Sequence, residues 1–126
     1  MTELLAVGIG GFIGAILRYL VSSWVQQSFS QGNFPIGTLA VNLIGCLIIG
    51  LLGGLNETRM IFSPHARMLI FLGILGSFTT FSSFGYETMA LVRESQFLLA
   101  AGNIALQLFL GLLAVWSGYA IATWRH

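Results

Sequence analysis

The sequence predicts an all-α membrane protein with four transmembrane helices in one chain. Of its 126 residues, 56% are hydrophobic and only 7% are charged, whereas a soluble domain carries about 25% charged residues. The mean hydropathy is +0.90. Apolar runs of about 20 residues, the length that a helix needs to cross a bilayer, recur along the chain. We therefore expect one integral membrane domain over residues 1–126.

Four apolar runs define the predicted spans. They cover, approximately, residues 4–25, 36–55, 64–93 and 97–122. The polar segment "QQSFSQGNFP" separates the first two runs, and "NETR" ends the second. Ser63 and Pro64 are typical of a helix start, with serine as the cap and proline at the first helical position. Tyr119 and Trp124 are placed as interfacial anchors.

The third run is expected to be broken in the middle of the membrane. A straight helix from Pro64 to Arg93 would be about 45 Å long, which exceeds the ~30 Å hydrocarbon core. The centre of this run reads "GSFTTFSSF", and glycine, serine and threonine are where a helix can open. Open backbone at membrane depth is tolerated only inside protein or beside water. We predict two half-helices that meet near residues 76–82, an arrangement that presents backbone groups to ions in transporters.

The arginines give a weak orientation signal. With an even number of spans, Arg59, Arg67 and Arg125 fall on one side of the membrane, and Arg93 falls on the other, together with Arg18 if it reaches that interface. A chain with so small a bias can insert in both orientations, and four packed helices leave little room for a lumen in one copy. We therefore expect an antiparallel, dual-topology homodimer.

Arg18 is the charged residue within the first apolar run. Its insertion costs about 2.5–3.5 kcal/mol on translocon scales. Two interpretations remain open at the level of sequence. The side chain either snorkels toward the nearer interface, or it contributes positive charge to an anion route, with Glu87 on the third span as its partner.

Three amides fall within the spans. Asn42 either joins helices, donates an N–H to a passing anion or holds the broken span in place. Asn103 and Gln107 are four residues apart and share one face of the fourth span with Gly111. That stripe is either a pathway or a helix–helix contact. Amide and hydroxyl donors without a matching run of carboxylates suit an anion rather than a cation.

Phenylalanines and hydroxyls alternate in the predicted break. Phenylalanine recurs at every third position, 78, 81 and 84, and the residues between are Thr79, Thr80, Ser82 and Ser83. Core packing is the usual role of such a stripe. However, the positive edge of an aromatic ring can contact a partly dehydrated anion. Such a contact lacks the full charge that would trap the ion, and conduction requires that the ion can leave.

Other classes of function lack support in the sequence. There is no paired-carboxylate site, no Ser-His-Asp set and no zinc-ligand spacing, so an enzyme is not expected. The five basic residues are scattered, which argues against nucleic-acid binding. The segment "GIGGFIG" contains the letters of a dinucleotide-binding loop but has no preceding strand. Gly10/Gly14 and Gly50/Gly54 instead fit the G-x-x-x-G pattern of closely packed membrane helices.

Three segments resemble the Fluc (CrcB-family) fluoride channels. They are "GGFIGAILRY" (10–19), "GTLAVNLIG" (37–45) and "GILGSFTTFSSFGYE" (73–87), and the similarity extends along all four spans. The "TTFSSF" core is highly characteristic. The resemblance implies an antiparallel homodimer in the bacterial inner membrane, with two pores that passively export fluoride and reject chloride.

The resemblance also assigns residues to roles. Phe81 and Phe84 match the family's pore phenylalanines, and Ser82 and Ser83 match its hydroxyl pair. With the residue pattern, it gives a candidate fluoride pathway of Arg18, Asn42, Thr80, Phe81, Ser82, Ser83, Phe84, Glu87, Asn103 and Gln107. A structural Na⁺ at the dimer interface is implied on backbone carbonyls of Gly76 and Thr79 from both subunits. Phe78 stands where an aliphatic residue is common, so we expect it to pack. The fourth span carries few of the hydroxyls expected there.

Two other functions remain alternatives. A proton-coupled small-molecule exporter of the compact four-helix kind also works as an antiparallel dimer. That chemistry uses a membrane-embedded carboxylate in the first helix, where this chain has Arg18. In a non-transporting accessory subunit, Asn42 and the polar third span would serve only to join helices.

Overall fold

Four helical spans make up residues 1–124, the part of the chain that this computed structural model describes. They are α1 (Thr2–Phe29), α2 (Ile36–Arg59), a composite third span (Pro64–Arg93) and α6 (Phe97–Thr123). Each is long and apolar enough to cross a membrane. No strand occurs among the described residues. The predicted all-α, four-span architecture is thus confirmed, while Arg125 lies outside the described residues.

The helices extend beyond the predicted apolar runs. α1 continues to Phe29, and α2 continues through Asn56 to Arg59 rather than ending near residue 55. The Thr58 hydroxyl donates to the Gly54 carbonyl at 2.9 Å. Met60, in the left-handed region with φ 47°, closes α2 through a bond from its N–H to the Asn56 carbonyl. Hydropathy marks where the chain leaves the hydrocarbon, whereas hydrogen bonds and caps decide where a helix ends.

The third span is assembled from four pieces. They are α3 (Pro64–Arg67), a π-helical segment (Met68–Leu75), α4 (Gly76–Phe78) and α5 (Phe81–Arg93). The predicted start is confirmed, since the Ser63 hydroxyl accepts from the Ala66 N–H at 3.2 Å. The break lies within the predicted interval but is only two residues long. Thr79 and Thr80 are extended there, with ψ of 157° and 116°.

Glycines set the distances between the helices. A Cβ at Gly14 of α1 would overlap the Ile74 carbonyl of the π-helical segment. Similarly, a Cβ at Gly50 of α2 would overlap the Val115 carbonyl of α6. Backbones that approach this closely need residues without side chains, so the G-x-x-x-G prediction is confirmed. The two close pairs, α1 with the third span and α2 with α6, hold the chain together.

This chain exposes many large apolar side chains and buries a few polar ones. Large apolar side chains such as Phe12, Trp24 and Trp116 are exposed, which suits a lipid environment. Buried positions, by contrast, include Thr38, Thr80 and Asn103. A buried polar group is costly unless it is hydrogen-bonded. The polar residues inside the chain therefore locate the candidate site.

Candidate functional site

Asn42 of α2 holds both backbone groups of Thr80 at the break. Its Oδ1 accepts from the Thr80 N–H at 2.8 Å, and its Nδ2 donates to the Thr80 carbonyl at 3.1 Å. The same Nδ2 donates to Oε1 of Gln107 on α6 at 3.0 Å. A helix interrupted at membrane depth needs partners for its freed backbone groups. One side chain supplies them here and links three spans.

Three of the predicted hydroxyls form one cluster at the start of α5. Thr80 is the N-cap of this helix, and its Oγ1 accepts from the Ser83 N–H at 3.2 Å. That oxygen also lies 3.1 Å from the Ser83 hydroxyl and 3.3 Å from the Ser82 hydroxyl. The local sequence explains this arrangement, because threonine is a favoured N-cap and the donor is the third residue of the helix.

Because of the hydrogen bonds at the break, two backbone carbonyls have no α-helical N–H partner. In a continuous α-helix, the Thr80 N–H would bond the Gly76 carbonyl and the Ser83 N–H would bond the Thr79 carbonyl. Asn42 and the Thr80 hydroxyl take these two N–H groups instead. Gly76 and Thr79 therefore lose their helical donors, and both residues line an open cavity of about 540 Å³.

This cavity brings together half of the predicted pathway residues and both predicted Na⁺ ligands. The rings of Phe81 and Phe84 lie in its wall with their centroids 5.3 Å apart and their planes at 61°, an edge-on arrangement. Phe81 is 82% exposed in the single chain, whereas Phe78 is buried, in agreement with a packing role. Predicted residues in the wall of the cavity are Asn42, Gly76, Thr79, Thr80, Phe81, Phe84 and Gln107.

Three further polar contacts continue from the break toward one end of the spans. The Asn103 amide of α6 donates to the Thr88 hydroxyl at 2.9 Å, and that hydroxyl donates to the Phe84 carbonyl at 2.7 Å. Beyond them, the Thr38 hydroxyl donates to the Glu87 carboxylate at 2.7 Å. Thr38 and Glu87 belong to the wall of a second, polar cavity of about 470 Å³.

Sequence reasoning missed Thr38 and Thr88. Both could have been found by helical spacing, because Thr38 is four residues before Asn42 and Thr88 is four residues after Phe84, on the same helix faces. Three buried atoms of the polar residues have no partner among the described residues. They are Glu87 Oε2, Asn103 Oδ1 and Gln107 Nε2.

Arg18 does not join this group. It is half-buried on α1, and in the described residues α1 packs against α2 and the first half of the third span but not against α5 or α6. Glu87 lies on α5 and is bonded to Thr38. The structure therefore does not form the ion pair between Arg18 and Glu87 that the sequence left open.

The chain has four membrane helices, and one of them is broken. At the break, amide and hydroxyl side chains hydrogen-bond the freed backbone groups. This combination defines a multi-pass membrane protein with the architecture of an ion-transport site. The family model described as "CrcB-like protein, Camphor Resistance (CrcB)" matches residues 5–119. The chain belongs to this family. The family predicted from the sequence is thereby confirmed.

Relatives named as fluoride-specific ion channels match almost the whole chain. The "Fluoride-specific ion channel FluC 3" of Methanosarcina barkeri is 43% identical over 122 residues, which cover 97% of this chain and 91% of that protein. The "Fluoride-specific ion channel FluC" of Chloroflexus aurantiacus is 42% identical over 124 residues, 98% of each chain. These matches and the four spans support the predicted location in the bacterial inner membrane.

Proposed function

We propose that this protein is a fluoride-selective ion channel that passively exports fluoride and so lowers its cytoplasmic concentration. The observation that carries the proposal is the 40–45% identity, over nearly the whole chain, to proteins named fluoride-specific ion channels. The protein is accordingly a channel and not an enzyme. No observation favours the proton-coupled exporter, because α1 carries Arg18 where that mechanism needs a carboxylate.

The geometry of the break supports an anion pathway. Fluoride is small and strongly hydrated, so a selective pore must replace its water with N–H groups, O–H groups and ring edges. The hydroxyls of Thr80, Ser82 and Ser83 lie in one cluster. The edge-on rings of Phe81 and Phe84 lie beside it. These groups are neutral, which lets an ion bind and leave again.

The working unit that we propose is an antiparallel homodimer with two pores. A single chain leaves Phe81 82% exposed at the mouth of the open cavity of 540 Å³. A second, inverted copy packed on this face would cover the ring and close the pathway on its open side. The small difference between the arginine counts on the two sides permits both orientations.

A structural Na⁺ at the dimer interface is part of the proposal, with the carbonyls of Gly76 and Thr79 from both subunits as its ligands. The donor set fits, since these carbonyls lose their helical donors and unwound backbone carbonyls are a known environment for Na⁺. The bound ion would supply a fixed positive charge near the anion path. Replacing sodium with a large organic cation on both sides should slow fluoride flux, whereas an unchanged flux would contradict this assignment.

Reconstitution in liposomes tests the function directly. Purified protein should release fluoride from loaded vesicles rapidly and electrogenically, and it should release no chloride. Uptake of a lipophilic cation driven by a pH gradient would instead identify the exporter. Absence of both activities would identify the accessory subunit.

A further inference from the structure

Three hydrogen bonds fix the orientation of two amides beside the break. The Thr80 N–H only donates and the Thr80 carbonyl only accepts, so Asn42 must turn Oδ1 toward the first and Nδ2 toward the second. The other N–H of Nδ2 points to Gln107 at 3.0 Å, and Gln107 must accept it with Oε1. The Nε2 group of Gln107 therefore points away from Asn42.

This arrangement of hydrogen bonds leaves the two amides with different numbers of N–H donors for an ion. Both N–H bonds of Asn42 are used within the protein, so Asn42 has no donor left for an ion. Gln107 Nε2 carries two N–H bonds, is buried and finds no acceptor in the described part of the chain. Buried polar groups in folded proteins are nearly always hydrogen-bonded. An unpartnered buried donor therefore points to a ligand that accepts hydrogen bonds.

We propose that Gln107, and not Asn42, presents amide donors to the permeating anion, and that Asn42 is a positioning residue that holds the break and orients Gln107. This inference rests on the proposed channel function. Gln107 lies in the wall of the same cavity as Thr80, Phe81 and Phe84, so an ion that enters the cavity meets it. Its two N–H bonds replace part of the hydration of fluoride without a net charge that would retain the ion.

Substitution of Gln107 tests its role. Gln107→Glu keeps the side-chain size and an oxygen for Asn42, but it replaces the NH₂ group with an oxygen that donates no hydrogen bond when ionised and that repels an anion. Loss of a hydrogen bond to a charged ligand should reduce fluoride efflux by about tenfold or more, with an unchanged oligomeric state. Gln31→Glu, the same change in the exposed loop before α2, should conduct like the parent. Parent-like efflux from Gln107→Glu overturns the inference.

Side-chain amide NMR of the parent protein gives a second test that does not depend on a variant's folding. With ¹⁵N-labelled glutamine or asparagine, addition of sodium fluoride should move the Gln107 NH₂ protons downfield in a saturable way. The Asn42 pair should stay in place, and sodium chloride should move neither. A shift of Asn42 without a shift of Gln107 overturns the inference. Failure of the parent protein to release fluoride from liposomes would instead refute the proposed function.

Discussion

Thr80 connects the break to everything around it. Its N–H and carbonyl are both bound by Asn42, and its hydroxyl caps α5 and contacts two serines. An extended residue at membrane depth would otherwise leave its backbone groups unpaired, at a cost of several kcal/mol. The interruption can be two residues long because a single neighbouring amide satisfies both sides of this residue.

The cap can be tested by substitution. Thr80→Val keeps the shape of the side chain but removes the hydroxyl that accepts from the Ser83 N–H. We expect a loss of about 1 kcal/mol in the free energy of unfolding in detergent. Thr80→Ser retains the cap and serves as the matched control. Equal stability of the valine and serine variants would show that the cap does not contribute.

The aromatic ring of Phe81 is the second feature of the site that a single substitution can test. Phe81→Ile removes the ring but keeps an apolar side chain, so fluoride efflux should fall by about tenfold or more while the oligomeric state is retained. Phe12→Ile, at a lipid-facing position of α1 that is 69% exposed, controls for loss of an aromatic ring. If Phe81→Ile conducts like the parent, Phe81 is not part of the pathway.

At the scale of elements, backbone contact between α2 and α6 is the strongest constraint. Gly50→Ala places a methyl group against the Val115 carbonyl, whereas Gly53→Ala on the same helix meets no atom within 4 Å. The first substitution should destabilise the protein by about 1–3 kcal/mol through overpacking. The second should be neutral or slightly stabilising, because alanine favours a helix over glycine. Thermal unfolding in detergent distinguishes them, and equal effects would contradict the packing.

The sequence predicted elements well where local chemistry decides them. Hydropathy located the four spans, and the glycine and hydroxyl content located the break. The α2 helix extends past the predicted apolar run, because Thr58 and Met60 form hydrogen bonds that hydropathy does not register. The π-helical segment was not predicted, since "MLIFLGIL" is equally apolar in an α-helix. The partner of Glu87 required tertiary structure, because Thr38 is 49 residues away along the chain.

For the whole molecule, orientation in the membrane is the property to measure. In a Cys46→Ser background, Gln31→Cys and Met60→Cys place a thiol in the loops at opposite ends of α2. With a weak positive-inside signal, about half of each variant should react with a membrane-impermeant maleimide in intact cells. A protein with one fixed orientation would react fully in one variant and not at all in the other.

The π-helical segment determines which neighbours the break can meet. A π-helix turns the chain through a smaller angle per residue than an α-helix does, and this geometry persists over the eight residues Met68–Leu75. If the same stretch were wound as an α-helix, everything after Leu75 would be rotated about the axis relative to Pro64. Thr80 would then face away from Asn42. The π-helical turns thus set the direction in which Thr80 points. Deleting one residue there would rotate the break about the helix axis without altering any residue that forms the site.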